Sequence, residues 1–581
     1  MRTPYAVLTR LFLRQFLEND LISPEADRSQ LLAVVGAIVL SLSLFISAFM
    51  SFAYVGAFLT PGQAAVLSLN DKFFYLALAM IVTALVAASQ WDSLAIDPRD
   101  SAILEPLPVR AGTIRGAKLS AIAILGAAVA CGVNAFPSLV FPWLLAINFP
   151  QMSALALLGL ILTHAVVSVA AAAFGYLVVV ALRETMVAVL GRRGFTVASP
   201  WVQGALIVLL GSALLLVPAA SDRIAQRGFA GWRAMSPPMW FLGVYEMTAG
   251  GVIADLPRPE MTDRKAATDR VTSALYRERR AQFPAMARRA IGAVSVVLLA
   301  ALGAYLWNAR RLAALAPAPP PSRRHGWQLG GRVANACLLR DPAARAGFYF
   351  TLAAMWRSNN HRLTLACAAA AGFAMALVAL SNANLQQGAG PSARLLAMQP
   401  LLYGALLVGF RHVIRVPAEL RANWGFQLAW RDRTGAFVAG VKRAAIIALV
   451  LPALAILLPL FMFVLGPGPA LIHAGLGLAG AIVLLEALML SYDKVPFTCT
   501  YLPSENMKAL GPIYAIAFMV GASTFARMQN DALQNGNALR VLITLAAALV
   551  ILRVMSVKRG RLPYVEFDEA PATFQRLGLD S

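Results

Sequence analysis

The stretch SALALLGLILTHAVVSVAAAAFGYLVVVALR, Ser153 to Arg183, runs for 30 residues before its first formal charge, at Arg183. A bilayer's hydrocarbon core is about 30 Å thick, and about 20 helical residues cross it. The apolar residues are continuous, without the alternation of a half-buried strand. Lipid offers the backbone no hydrogen-bond partner, so a spanning segment has to be a helix or part of a closed barrel. The continuity selects the helix. The same character extends over the chain, whose 581 residues are 59% hydrophobic and only 13% charged. So little charge cannot cover a water-soluble surface. The sequence therefore predicts an all-α polytopic membrane protein.

Twelve runs qualify as spans: 31–59, 73–91, 119–147, 152–182, 201–219, 290–307, 363–381, 395–414, 444–465, 470–490, 510–526 and 539–555. The third and ninth contain Pro137, Pro142, Pro452 and Pro459, which are expected to kink or divide them. With the N-terminus inside, the inner segments hold 4, 4, 3, 9, 6, 2 and 4 Lys and Arg in chain order. The short outer loops hold only Lys72, Arg394 and Arg527. That asymmetry predicts both termini in the cytoplasm. Residues 220–289 run against it, lying outside with twelve Lys and Arg, but long segments translocate largely regardless of charge. Arg outnumbers Lys and Ala is abundant, which points to a bacterial plasma membrane protein. The net charge of +22 sits beside the spans and reads as an affinity for anionic lipid, not for nucleic acid. Cys131, Cys337, Cys367 and Cys499 form no CxxC pair, so neither a disulfide partner nor a metal site is expected. The first apolar run begins at Leu31 behind Glu18, Asp20, Glu25 and Asp27, too late and too acidic for a cleaved signal peptide.

The Pro/Arg-rich segment WNARRLAALAPAPPPSRRHGW, Trp307 to Trp327, divides six spans from six. The expected domains are 1–307, a cytoplasmic linker 308–342, and 343–581 with a cytoplasmic tail. Each half opens with an amphipathic segment. In YAVLTRLFLRQFLEND, Arg10, Arg14 and Glu18 share one helix face, and Leu8, Phe12 and Phe16 share another. Its counterpart is ARAGFYFTLAAMWRSNNHR, Ala344 to Arg362. Each half then carries a charged inner loop between its second and third spans. The first, 92–118, holds Asp97, Arg99, Asp100, Glu105, Pro106, Pro108, Arg110 and Lys118. The second, 415–443, holds Glu419, Arg421, Trp424 and Lys442. Neither loop can enter lipid, and both offer polar groups to a partner at the membrane face.

An interfacial helix, a charged helix followed by "LPV" (Leu107 to Val109), a lysine-led span, and the apolar piece SPPMWFLGVYEMTAGG between spans five and six occur in this order. The arrangement resembles ABC-exporter permeases of the second export type, most closely over residues 1–307. The resemblance implies transport of a lipid, drug or polysaccharide-type substrate. It makes the inner loops the coupling elements for an ATPase, and it makes Ser236–Gly251, with Pro237, Pro238, Trp240 and Glu246, an external re-entrant segment. Such permeases usually carry six spans and dimerise, so two fused units depart from the pattern.

No GxxxxGK[ST] phosphate loop is present. GTIRGAK, Gly112 to Lys118, has its glycines too close, and Leu119 follows where Ser or Thr would hold magnesium. The chain is therefore not expected to be an enzyme. Its cofactor, ATP, would sit on a separate ABC ATPase subunit. Ionisable residues within spans are the usual pointers to a transport site. Here they are His164, Arg411, His412, His473 and Glu486, of which His164 and Glu486 are the leading candidates. The sequence leaves open an integral membrane enzyme acting on lipid or lipid-linked sugar, and a twelve-span secondary transporter.

Overall fold

The computed structural model describes residues 3–17, 40–41, 43–48, 54, 59–91, 93–94, 104, 106, 108–147, 149, 151–221, 224–229, 231–250, 252, 262–312, 339–381, 386, 390–417, 423, 434–490, 492, 495–498 and 511–559. Every regular element among them is helical. Ten of the described helices are long and apolar enough to cross a membrane. They overlap ten of the twelve expected spans. Most of the span expected at 31–59 lies outside the described residues. The span expected at 510–526 falls in the helix Gly511–Gln534, which is not among the ten. Arg527, Gln529, Asn530 and Asp531 cut its apolar run short. The chain divides into two compact units, Met1–Pro321 and Ser322–Ser581.

Unit 1 begins with α1 (Pro4–Leu17), whose Leu8 and Phe12 are buried while Arg10 and Arg14 are exposed. Helix α2 spans Pro61–Ser89. It starts at Pro61, not at residue 73, because Thr60 and Gln63 form a reciprocal capping box and proline occupies the first turn. Lys72, expected in an outer loop, is consequently buried within a helix. Helix α3 (Ala111–Ile147) passes both Pro137 and Pro142 without a break. At 37 residues it is about 55 Å long, more than the membrane core requires. The helical stretch Ala154–Ser221 turns at Gly191, with φ 64°, dividing α4 (Ala154–Gly191) from α5 (Gly194–Pro218). Only glycine takes that backbone without strain. Two single-turn helices lead to α6 (Pro237–Ala249), α7 (Asp263–Arg280) and α8 (Phe283–Leu312). At 13 residues α6 is too short to cross. It packs chiefly on α8, where Gly243 lets the helices close to van der Waals distance against Phe283 and Met286. One core gathers Phe73, Leu76, Phe141, Phe174, Phe241, Leu242 and Phe283.

Unit 2 comprises α9 (Pro342–Arg357), α10 (Asn359–Ser381), α11 (Ala393–Val413), α12 (Thr434–Leu465), α13 (Pro467–Met489), α14 (Gly511–Gln534) and α15 (Ala538–Arg559). The ends of the expected linker are thus helical: α8 runs to Leu312 and α9 starts at Pro342, while 313–338 lie outside the described residues. In α12 a π-turn at Ile446–Val450 precedes Pro452, with the Leu451 N–H on the Ile446 carbonyl. Helices α9 and α12 touch backbone to backbone. A Cβ on Gly347 would strike the Phe437 carbonyl, and one on Gly440 the Ala344 carbonyl. Phe497, at φ 67°, is pinned by its N–H on the Ile414 carbonyl (2.8 Å) and by the rings of Phe350 and His361.

Overpacking a close approach of this kind costs about 1–3 kcal/mol. Gly440→Leu should therefore lower the detergent melting temperature of the chain. Gly435→Leu in the same helix, where a Cβ meets nothing within 4 Å, should leave it unchanged. Differential scanning fluorimetry on the purified variants reads both.

Candidate functional site

Polar side chains converge where α2, α3, α4, α6 and α7 meet. Lys72 of α2 and Glu246 of α6 form an ion pair of 2.5 Å, with both side chains shut off from solvent. The other Glu246 oxygen accepts from the Tyr276 hydroxyl of α7 at 2.6 Å, and that hydroxyl also lies 2.6 Å from the Gly250 carbonyl. The Lys72 ammonium stands 4.7 Å from the centre of the Tyr245 ring, within cation–π range. One residue earlier on α2, Asp71 accepts from the buried hydroxyl of Tyr54. His164 of α4 is fully enclosed. Around it stand Tyr75 of α2 (5.5 Å between ring centres), Phe141 of α3 (5.2 Å) and Tyr245 of α6 (5.6 Å).

The same end of the unit shows why these elements stay together. Asp269 of α7 accepts the Gly62 backbone N–H at 2.7 Å, so a carboxylate satisfies an otherwise open donor in the first turn of α2. Arg279 reaches back to the Ala225 carbonyl (3.0 Å) and lies over the Phe229 ring. Helix α7 thereby clamps the start of α2, and Tyr276 carries the clamp to Glu246.

A second polar set lies farther along α2 and α4. Arg183 donates to the Trp91 carbonyl (2.7 Å) and pairs with Glu184 (2.5 Å), and Glu184 also accepts from Asn308 of α8 at 2.8 Å. In unit 2, Glu486 of α13 pairs with Lys442 of α12 and with Arg553 of α15 (3.4 Å). His473 of α13 is buried edge-on to Phe461 of α12 at 4.6 Å.

The residues singled out in the sequence fare differently. Asp97, Arg99, Asp100, Glu105, Glu419, Arg421 and Trp424 lie outside the described residues. Pro106, Pro108 and Arg110 are exposed. Lys118 is wholly buried, its ammonium 4.7 Å from the centre of the Phe12 ring, so it is not offered to solution as the loop reading expected. Lys442 is turned inward onto Glu486. Pro237 and Pro238 start α6, and Trp240 donates to the Ala234 carbonyl at 3.0 Å. His164 and Glu246, picked out in separate contexts, belong to one cluster. Lys72, Asp71, Tyr54 and Tyr276 complete it and were not anticipated. The signal that could have found Lys72 is the Thr60-x-x-Gln63 capping box, which moves the helix start ahead of it. Among the described residues no group of three or more His, Cys, Asp or Glu could hold a metal ion.

Removing one partner of a buried ion pair strands the other charge and costs about 3–5 kcal/mol, while replacing both by apolar groups costs far less. Lys72→Met and Glu246→Leu should each lower the melting temperature and expression of the chain sharply. The double variant should recover most of the loss. A double-mutant cycle from thermal unfolding in detergent measures the coupling, and additive losses would mean that the pair does not act as one unit. Compared with family models, curated proteins and solved structures, the chain matches none.

Proposed function

We propose that the chain is the membrane permease of an ABC exporter, driven by ATP bound and hydrolysed on a separate ATPase subunit. It moves a lipid, drug or polysaccharide-type substrate across a bacterial inner membrane. The reading is supported above all by how each amphipathic helix is seated. In unit 1, the Tyr5 hydroxyl of α1 meets the Ser120 hydroxyl at 2.5 Å, and Phe12 lies beneath Lys118, both on the early turns of α3. In unit 2, α9 is locked to the first turns of α12 through Gly347 and Gly440. In each unit the helix that follows the charged loop is thus bound to the helix that opens the unit. A partner pressing on 92–110 or 415–433 would displace a rigid helix pair, not a loose tether. Exposed Arg110, behind exposed Pro106 and Pro108, supplies a charged handle at the entry to α3.

A twelve-span, six-plus-six arrangement with both termini cytoplasmic belongs to the same reading. Both units have an opening helix, spans and a closing helix in that order, and both have a buried histidine on the helix after a long helix with two prolines, α4 after α3 and α13 after α12. ATP binding by the partner would bias the bundle between inward- and outward-facing states through its different grip on the loops in each.

The reading predicts a stable complex with an ABC ATPase. Arg110→Glu should abolish co-purification of a co-expressed candidate ATPase from membranes, and with it any transport-stimulated hydrolysis. Arg270→Glu, exposed on α7, should leave both intact. Equal recovery of the ATPase with both variants would overturn the coupling assignment.

A further inference from the structure

The polar cluster of unit 1 contains hydrogen-bonding atoms that no protein group meets. Neither Nδ1 nor Nε2 of His164 has a partner, although the ring is fully buried. The hydroxyls of Tyr75 and Tyr245, on two of the rings packed against it, are also unmet. Lys72 offers three N–H donors, and Glu246 takes one of them while the Tyr245 face attracts the ammonium as a whole. Buried polar groups in folded proteins are almost always paired, with protein or with ordered water.

The chemistry of the nest defines what could meet these atoms. It is small, because three aromatic rings stand within 5.6 Å of the imidazole, centre to centre. It both donates and accepts, because a neutral imidazole presents one N–H and one lone pair. It is uncharged, because the nearby ammonium is already paired with a carboxylate. Water meets all three requirements, and buried waters characteristically bridge such groups. We propose that the His164 nest is a built water site, in which ordered water joins His164, Tyr75 and Tyr245 to the free donors of Lys72.

The second unit carries a related buried histidine. His473 is fully buried with both ring nitrogens unmet. The Gln529 side chain lies against His473 as its polar neighbour, and Gln399 Oε1 is unmet. Both histidines sit in an L-x-H-A run, Leu162–Ala165 on α4 after α3 and Leu471–Ala474 on α13 after α12. Each faces an aromatic ring of that preceding helix, Phe141 or Phe461. Water at Lys72 also gives the ammonium somewhere to turn. The Glu246 bond can be exchanged for a water bond, so α6 can shift on α2 without stranding a bare charge.

The inference stands apart from the permease reading and is tested on the whole chain in lipid nanodiscs. Pulsed X-ray radiolysis generates hydroxyl radicals from bound water and labels adjacent side chains. Tyr75, Phe141 and Tyr245 should be labelled several-fold faster than Phe174 and Phe241, which are buried in the same core. In parallel, His164→Phe, which fills the ring's place but offers the water nothing, should lower the melting temperature, and His164→Gln should retain most of it. Labelling no faster than at Phe174 and Phe241 means that the nest is dry and overturns the proposal. A His164→Phe chain that melts at or above the unaltered one does the same, because removing unmet polar atoms from a dry site relieves a penalty.

Discussion

A lysine ammonium taken out of water has to be met by a carboxylate, and the placement of Lys72 organises unit 1 around that demand. The capping box at Thr60 starts α2 early, which carries Lys72 into the packed interior. Glu246 can answer only if α6 lies across α2 in one register, and Gly243, one turn earlier on α6, allows the close seat on α8 that this register needs. Tyr276 then ties α7 to the same carboxylate, and Asp269 ties it to the first turn of α2. A buried pair of this kind adds little net stability over an apolar contact. Its force lies in what it forbids, since every arrangement that separates the two charges is heavily penalised.

The same constraint recurs wherever a charge is enclosed, and it is met with different chemistry. Glu184 is held by its neighbour Arg183 and by the Asn308 amide from the closing helix of unit 1. Glu486 is held by Lys442 and by Arg553 from the closing helix of unit 2. In both units an acidic residue late in one helix, α4 or α13, is met from the last helix. Lys118 is also enclosed, with its ammonium over the Phe12 ring of α1.

Ten of the expected spans were legible because a run of apolar residues long enough for a bilayer is a local property. Their edges were less so. The start of α2 depends on a four-residue cap that hydropathy does not register, and that one shift moved Lys72 from loop to core. Proline was also ambiguous: α3 absorbs Pro137 and Pro142 within one helix, while α12 opens a π-turn ahead of Pro452. His164, Glu246 and Glu486 could be flagged singly, because a polar group in an apolar run is conspicuous. Their partners could not, because Lys72 and Glu246 are 174 positions apart and only the packing of α6 on α2 joins them. Lys118 was misplaced as a solvent-facing residue for a related reason, since the ring that covers it comes from α1.

The distribution of apolar side chains explains why the interior carries the specificity. Ile291, Val296 and Leu299 on α8, Leu209 on α5, and Leu539, Ile543 and Val550 on α15 are largely exposed, while Lys72, Lys118, Arg183, Glu184 and Glu246 are buried. In water this arrangement would be reversed. With lipid as the solvent, outward apolar groups gain nothing by leaving it, so hydrophobicity alone does not choose one packing of helices over another. The choice falls to close backbone contacts, such as Gly347 on Phe437 and Gly440 on Ala344, and to polar groups that lipid refuses. A few enclosed charges and small residues therefore decide how the long helices meet. A helix can slide only where its polar contacts have somewhere else to go.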